Sequence, residues 1–273
     1  MPPVWRLSSV SVSKAMSFET KEVRTKSELD AIVDVIWAAM EPEPSHASFF
    51  PIVGSRELAR ERAIEESKSR LWHGHEMDSS SHWIYVTELE DGKQSVVGGC
   101  QWRIYDTNPF PDPDARINAT WWPEGSTGRA FASEVASQCH QPRKAWMACP
   151  HAGITLMSVL PEKQRQGVGS QLMEWGLEQM NDRDIEGFVE ASPSGRQLYL
   201  KHGFVDVAYV RVKMDHDDLS LTDVWKELEK NYLPVDYTAM WRPKGGHMPR
   251  DEMARIWKEK LKVPVKNHVE GLI

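Results

Sequence analysis

The run Gln164-Arg165-Gln166-Gly167-Val168-Gly169 has the clearest capacity for chemistry in this chain. Before it, Ile154 to Leu160 reads as a buried strand closed by Pro161. After it, Val168, Gly169, Leu172, Met173, Gly176, Leu177 and Met180 share one broad face, with Gln171, Glu174 and Glu178 opposite. The turn therefore opens a helix spanning Gly167 to Met180. The first amides of a helix have no acceptor within it, and the helix dipole favours negative charge there. Glycines at 167 and 169 remove side chains that would hold a phosphate off those amides, and Arg165 and Lys163 add positive charge at the rim. Such a turn suits a pyrophosphate. By itself, a Gly-x-Gly turn is equally a tight strand-to-helix connection. It also lacks the Gly-Lys-Ser/Thr ending of a P-loop and the third glycine and partner acid of a dinucleotide fingerprint.

The flanking residues favour the first reading. Val159-Leu160-Pro161 followed by Gln164 to Gly169 resembles the acetyl-CoA signature of the GNAT superfamily of N-acetyltransferases, Gln/Arg-x-x-Gly-x-Gly/Ala after a strand ending in Val-x-Pro. Residues 192–204, SPSGRQLYLKHGF, resemble the same family's Asn-x-x-Ala-x-x-x-Tyr-x-x-x-Gly-Phe block, with Tyr199, Gly203 and Phe204 in register. Ser192 stands where Asn is usual and Gly195 where Ala is usual; serine can still hydrogen-bond a cofactor. Val97-Gly98 after the Asp91-Gly92 turn resembles the family's hairpin. The order of elements follows the family over residues 18–214, and the specific motifs lie within 154–204.

The resemblance implies a mixed, twisted sheet that splays between its fourth and fifth strands, with acetyl-CoA in the opening. Pantetheine would pair with the backbone of Met157, Ser158 and Val159, and the pyrophosphate would sit on the amides of Gln166 to Ser170. Gln164, Arg165, Gln166, Gly167, Val168, Gly169, Ser170, Ser192 and Tyr199 complete the implied cofactor-binding set. In such a site a neutral primary amine attacks the thioester directly. A strand amide near Val159 would polarise the carbonyl, and Tyr199 would protonate the leaving thiolate. Beside Leu198 and Leu200, Tyr199 also fits as a core tyrosine. The base is open: Glu190 at the end of the fifth strand, His151 at the start of the fourth, or the more remote Asp106 and Glu124. The acceptor would be a small-molecule or peptide amine. Two rival readings are a non-catalytic acyl-CoA-binding module and an acyltransferase for a larger metabolite received by Trp121 and Trp122.

The elements that must position these groups follow from periodicity. Ser27 caps a helix carrying Leu29, Ile32, Val33, Ile36 and Met40, which Glu41-Pro42-Glu43-Pro44 ends. A second helix covers Arg56 to Leu71, and strands at His82–Glu88 and Ser95–Tyr105 flank Asp91-Gly92. Residues 106–150 form a long insertion with Pro109, Pro111 and Pro113 and a short helix at 127–138; it either lines the site or is a solvated loop. A short strand (Ile185–Ala191), a short helix (Pro193–His202) and a strand region (Phe204–Met214) complete the 18–214 domain. Residues 215–273 read as a C-terminal helical extension, with helices at about 221–231 and 250–261 around an irregular 232–249. Residues 1–17 are expected to be disordered. The fold class is α+β, a GNAT-like mixed sheet with helices on both faces.

Composition narrows the alternatives. The 273-residue chain has a net charge of −7 and neither a basic face nor a basic pI, which argues against nucleic acid as a partner. No apolar stretch reaches the ~20 residues that cross a bilayer. Cys100, Cys139 and Cys149 are odd in number and irregular in spacing, as in a reduced cytoplasmic protein. His73-Gly74-His75-Glu76 with His82 lacks the His-Glu-x-x-His spacing, so no metal is expected. The C-terminal helices could pair two copies in a homodimer or cover the sheet.

Overall fold

A computed structural model describes residues 17–40, 60–112, 114–214 and 222–273. The expectations for the N-terminus before Ser17, for the prolines at 42 and 44 and for the start of the second helix lie outside the described residues. In chain order the elements are β1 (Ser17–Glu22), α1 (Lys26–Met40), α2 (Arg60–Glu76), β2 (Ser81–Glu90), β3 (Lys93–Tyr105), α3 (Thr127–Trp146), β4 (His151–Val159), α4 (Val168–Arg183), β5 (Glu186–Ala191), α5 (Arg196–Lys201), β6 (Val205–Arg211), α6 (Asp223–Tyr232), β7 (Asp236–Arg242), α7 (Arg250–Lys260) and β8 (His268–Gly271). The strands form one mixed sheet in the order β1-β2-β3-β4-β5-β7-β6-β8, in which only β4 and β5 run parallel. This is the α+β class expected from the sequence.

Side-chain alternation along the strands assigns the two faces. Ile84, Ile154 and Val189 pack against α4 through Val168, Leu172, Met173 and Met180. On the other face Trp83 and Tyr85 meet α1, while Phe188 and Trp241 meet Trp146 of α3 and Trp257 of α7. Two glycines let α4 lie close to β3. A Cβ on Gly176 would fall 2.1 Å from Trp102 Cε2, and one on Gly98 would fall 2.7 Å from Val168 Cγ1. The Trp102 indole N–H donates to the Leu172 carbonyl at 3.0 Å, tying the strand to the helix it supports.

Two features part β4 from β5. Thr155 has no partner on β3, because the register steps from Ile154↔Trp102 to Leu156↔Gln101; this bulge bends β4 and increases its twist. The parallel pairing covers only His151↔Glu186, Ala152↔Gly187 and Gly153↔Phe188. Beyond Gly153 the strands diverge.

Three expectations change. The tail is helical at α6 and α7, but its supposedly irregular centre is β7, hydrogen-bonded between β5 and β6, so a domain boundary at 214 would cut the sheet. The helix expected at 127–138 runs to Trp146, through Pro142. Proline removes the amide that would bond the Gln138 carbonyl, and Asn267 Nδ2 donates to that carbonyl instead, at 3.2 Å. Finally, β1 is an edge strand with Glu19, Lys21 and Glu22, a polar composition that hid it. No helix among the described residues is long and apolar enough to cross a membrane.

Candidate active site

The turn before α4 is open and rich in free donors. Gly167, the N-cap, has φ 97°, and Arg165 is also left-handed at φ 62°. A left-handed residue on either side of Gln166 turns successive N–H groups toward one side, forming an anion-binding concavity. Holding a non-glycine residue such as Arg165 at positive φ costs energy. The amides of Arg165 to Ser170 have no acceptor among the described residues. Residues 164–167 are exposed, and a Cβ at Gly167 would meet nothing within 4 Å. The first turn of α4 holds no acid.

Side chains brace this turn from three sides. Gln164 Nε2 donates to the Val159 carbonyl at 3.3 Å, and Gln166 Nε2 to the Glu162 carbonyl at 2.8 Å. Lys163 pairs at 2.5 Å with Glu88, a carboxylate buried on β2, so it anchors the turn to the sheet rather than standing free at the rim. From α5, Leu198 lies against Gly169, where a Cβ would be 3.1 Å away, and Lys201 Nζ donates to Ser170 Oγ at 3.1 Å. Ser192 accepts a hydrogen bond at its hydroxyl from the Gly195 amide at 3.2 Å, in the turn that leads into α5.

Tyr199 is buried on α5 in the same apolar cluster as Met157 and Val159 of β4. Burial pushes its phenol pKa up, and the neighbouring Cys100 thiol and Glu190 carboxylate act in the same direction. Its hydroxyl has no hydrogen-bond partner among the described residues. Ser158 Oγ is likewise buried without a partner. The residues predicted at 157–159, 164–170, 192 and 199 lie on β4 beyond its pairing with β5, on the turn that follows it, and on and before α5, which packs against that turn.

The expected bases fare differently. Glu190 lies on the opposite face of β5, where Arg143 Nε donates to its Oε1 at 2.9 Å and Arg143 Nη2 donates to Oε2. Both carboxylate oxygens of Glu190 are thus engaged by a buried guanidinium and point away from the face that carries Tyr199. His151 is fully buried, its Nδ1 lies 2.8 Å from the Cys149 carbonyl, and burial lowers its pKa to about 4. It is a neutral packing residue between Tyr105 and Phe110. Asp106 pairs with Arg183, at the far end of α4 and about 22 Å along that helix from the turn at 1.5 Å per residue. Glu124 is exposed in the loop before α3. The two insertion tryptophans pack with Phe131, Trp225 and Tyr232, and Trp122 and Tyr232 also line a cavity between the start of α3 and α6.

Sequence reasoning missed Arg143, Glu88 and Lys201. Lys201 had a signal, two positions after Tyr199 in a helix that had to abut the turn. Arg143 and Glu88 had none, since their partners lie 47 and 75 residues away in sequence.

Comparison with known proteins agrees with this architecture. No curated protein matches the chain in sequence. The polyamine N-acetyltransferase of Drosophila melanogaster, which catalyses formation of N-acetylagmatine, superposes with a TM-score of 0.51 at 14% identity, over 82% of this chain and 98% of that one. An agmatine N-acetyltransferase superposes with a TM-score of 0.50 at 13% identity, over 82% of this chain and 97% of its own. At such identities the likeness is one of fold. A family model described as an acetyltransferase (GNAT) domain matches residues 146–217, the stretch that holds the turn, both diverging strands and Tyr199.

Proposed function

We propose that this chain moves an acetyl group from acetyl-CoA to a primary amine by direct attack within a ternary complex. The observation that carries the reading is the row of unpartnered amides from Arg165 to Ser170, which opens on an exposed turn at the end of β4, beyond the stretch where that strand is paired with β5. The residues present fit the cofactor. Free amides, a bare left-handed glycine and no acid in the first turn of α4 match a diphosphate. The cofactor supplies an acyl group activated as a thioester. The chain's own residues would do the rest. Amides 166–170 grip the diphosphate, with Lys201 adding charge. Met157, Ser158 and Val159 offer strand backbone and Ser158 an unpartnered hydroxyl. Gln164 holds the Val159 carbonyl until that edge is used.

Tyr199 acts as the acid. Its raised pKa keeps it protonated throughout the neutral range, and its free hydroxyl can donate to a departing sulfur. The one thiol near it, Cys100, is fully buried with its pKa pushed up by burial, which disfavours a covalent acyl-enzyme and favours direct attack. With Glu190 held by Arg143, the ammonium loses its proton to water through the opening, where Thr155 is exposed. The polyamine and agmatine acceptors of the two structural neighbours make small aliphatic amines the first candidates.

Release of free thiol from acetyl-CoA with a panel of amines tests the reading. Tyr199→Phe should lower kcat roughly a hundredfold while leaving CoA affinity unchanged. Tight CoA binding with no turnover on any amine would favour a non-catalytic module, and absence of CoA binding would overturn both.

A further inference from the structure

The Arg143–Glu190 pair lies where the two strands part. β4 and β5 are paired up to Gly153 and Phe188. The carbonyl of the next β4 residue, Ile154, accepts from Arg143 Nη2 at 3.0 Å rather than from a β5 amide. The same guanidinium holds Glu190, two positions beyond Phe188 on β5. Gly153 makes this possible: a Cβ there would lie 2.3 Å from Arg143 Nη1 and 3.4 Å from the Phe188 carbonyl. Arg143 is 4% exposed and comes from α3, which is fixed on the sheet by the Tyr237 hydroxyl donating to the Cys139 carbonyl at 2.9 Å.

We propose that Arg143 is a positioning residue whose guanidinium stands in for the next rung of the β4–β5 ladder and keeps open the slot that receives the donor's pantetheine arm. The physical reason is competition for one acceptor. Adjacent parallel strands zip wherever carbonyl and amide can meet. A guanidinium that takes the Ile154 carbonyl satisfies that edge of β4, and the Glu190 carboxylate on β5 fixes it there, so the strands are held apart. Being planar and permanently charged, it fits over a glycine as a lysine could not. The pantetheine arm carries amides that need a free strand edge, and the diphosphate does not. Removing the wedge should therefore affect one part of the donor and spare the other.

This inference rests on the acetyl-CoA reading, and the test separates the two. The full chain is titrated by calorimetry with CoA and with adenosine 3′-phosphate 5′-diphosphate, which lacks pantetheine. The same is done for Arg143→Met/Glu190→Gln, which removes both charges and so leaves no buried ion unpaired. The expected result is nucleotide affinity unchanged within about twofold and CoA affinity at least tenfold weaker, so the CoA advantage collapses. If the double variant melts below the assay temperature, Gly153→Ala, which displaces the guanidinium by its methyl, must give the same collapse. A folded variant that keeps the wild-type CoA advantage, or a wild type that binds both ligands equally, overturns the wedge alone. A wild type that binds neither ligand overturns the acetyl-CoA reading, and the wedge with it.

Discussion

The start of α4 and the parting of β4 from β5 lie side by side but are built from different materials. The turn is backbone: six unpartnered amides from Arg165 to Ser170, two left-handed residues and an exposed surface. The parting is side chain: a buried guanidinium from α3, a carboxylate from β5 and a glycine that makes room for them. A site made of amides tolerates most side-chain changes, provided the chain can still take its dihedrals. A site made of buried charge depends on each partner being present. The two regions should therefore fail differently when altered.

The largest effect is expected at the parting. Arg143→Met alone leaves Glu190 without its counter-ion in a half-buried position and should cost about 3 kcal/mol in a denaturant titration. The Arg143→Met/Glu190→Gln variant should recover most of it. If the single and double variants are equally unstable, the pair is ordinary packing and the contrast with the turn weakens.

Next comes His151, beside the wedge at the paired end of β4. Burial lowers its pKa from 6.5 to about 4, and Arg143 and Lys260 push in the same direction. Above pH 6.5 both states are neutral and stability is full. As pH falls toward 4 the unfolded chain takes up the proton first, so stability declines, by roughly 3 kcal/mol across that window. Burial lowers His75, His140 and His202 as well, which adds slope of the same sign. His151→Phe should flatten most of the curve measured by melting at stepped pH; an unchanged slope would assign it to the other three.

At the turn the expected loss is of binding. Gly167→Glu forces a side chain into φ 97° and sets a negative charge where the diphosphate would lie. CoA affinity should fall about a hundredfold, while the left-handed strain costs only about 1–2 kcal/mol of stability, the reverse of the balance for Arg143→Met. Were Gly167→Glu to unfold the protein instead, the turn would be structural rather than a binding device.

This difference in material also explains what could be read from the sequence. The turn was legible because its chemistry is local: a strand, a proline, spaced glycines and a helical stripe within 27 residues, 154–180. The β2–β3 hairpin was legible from Asp91-Gly92 and its β-branched flanks. The wedge was not, since Gln141-Pro142-Arg143 has no local pattern and its meaning comes from Glu190 and Gly153 in other elements. Pro142 sits inside α3, and Asn267, more than a hundred residues on, takes up the carbonyl it leaves free. In β7 the burial pattern is nearly continuous, because a central strand is covered on both faces and loses the alternation that betrays an edge. Tyr199 was placed by its register in a motif, while the ion pair that holds Glu190, one of several candidate bases, could not be seen in one dimension.

The smallest predicted effect probes how far the turn relies on backbone. Lys201 is exposed and reaches Ser170 Oγ at 3.1 Å, close to the free amides but outside them. Lys163, nearer in sequence, is committed to Glu88 and adds little net charge toward a ligand. Lys201→Met should weaken CoA binding only about threefold to tenfold at low salt, since an exposed charge is screened and well hydrated. At roughly 0.5 M salt, where the screening length is down to a few ångströms, the difference should nearly vanish. Most of the loss at Gly167 should persist under those conditions, because salt screens the added charge but not the side chain's occupation of the space the diphosphate needs. If the order is reversed, so that Lys201→Met costs more than Gly167→Glu and persists in salt, the diphosphate is held by side chains, and the contrast between an amide-built turn and a charge-built opening falls with it.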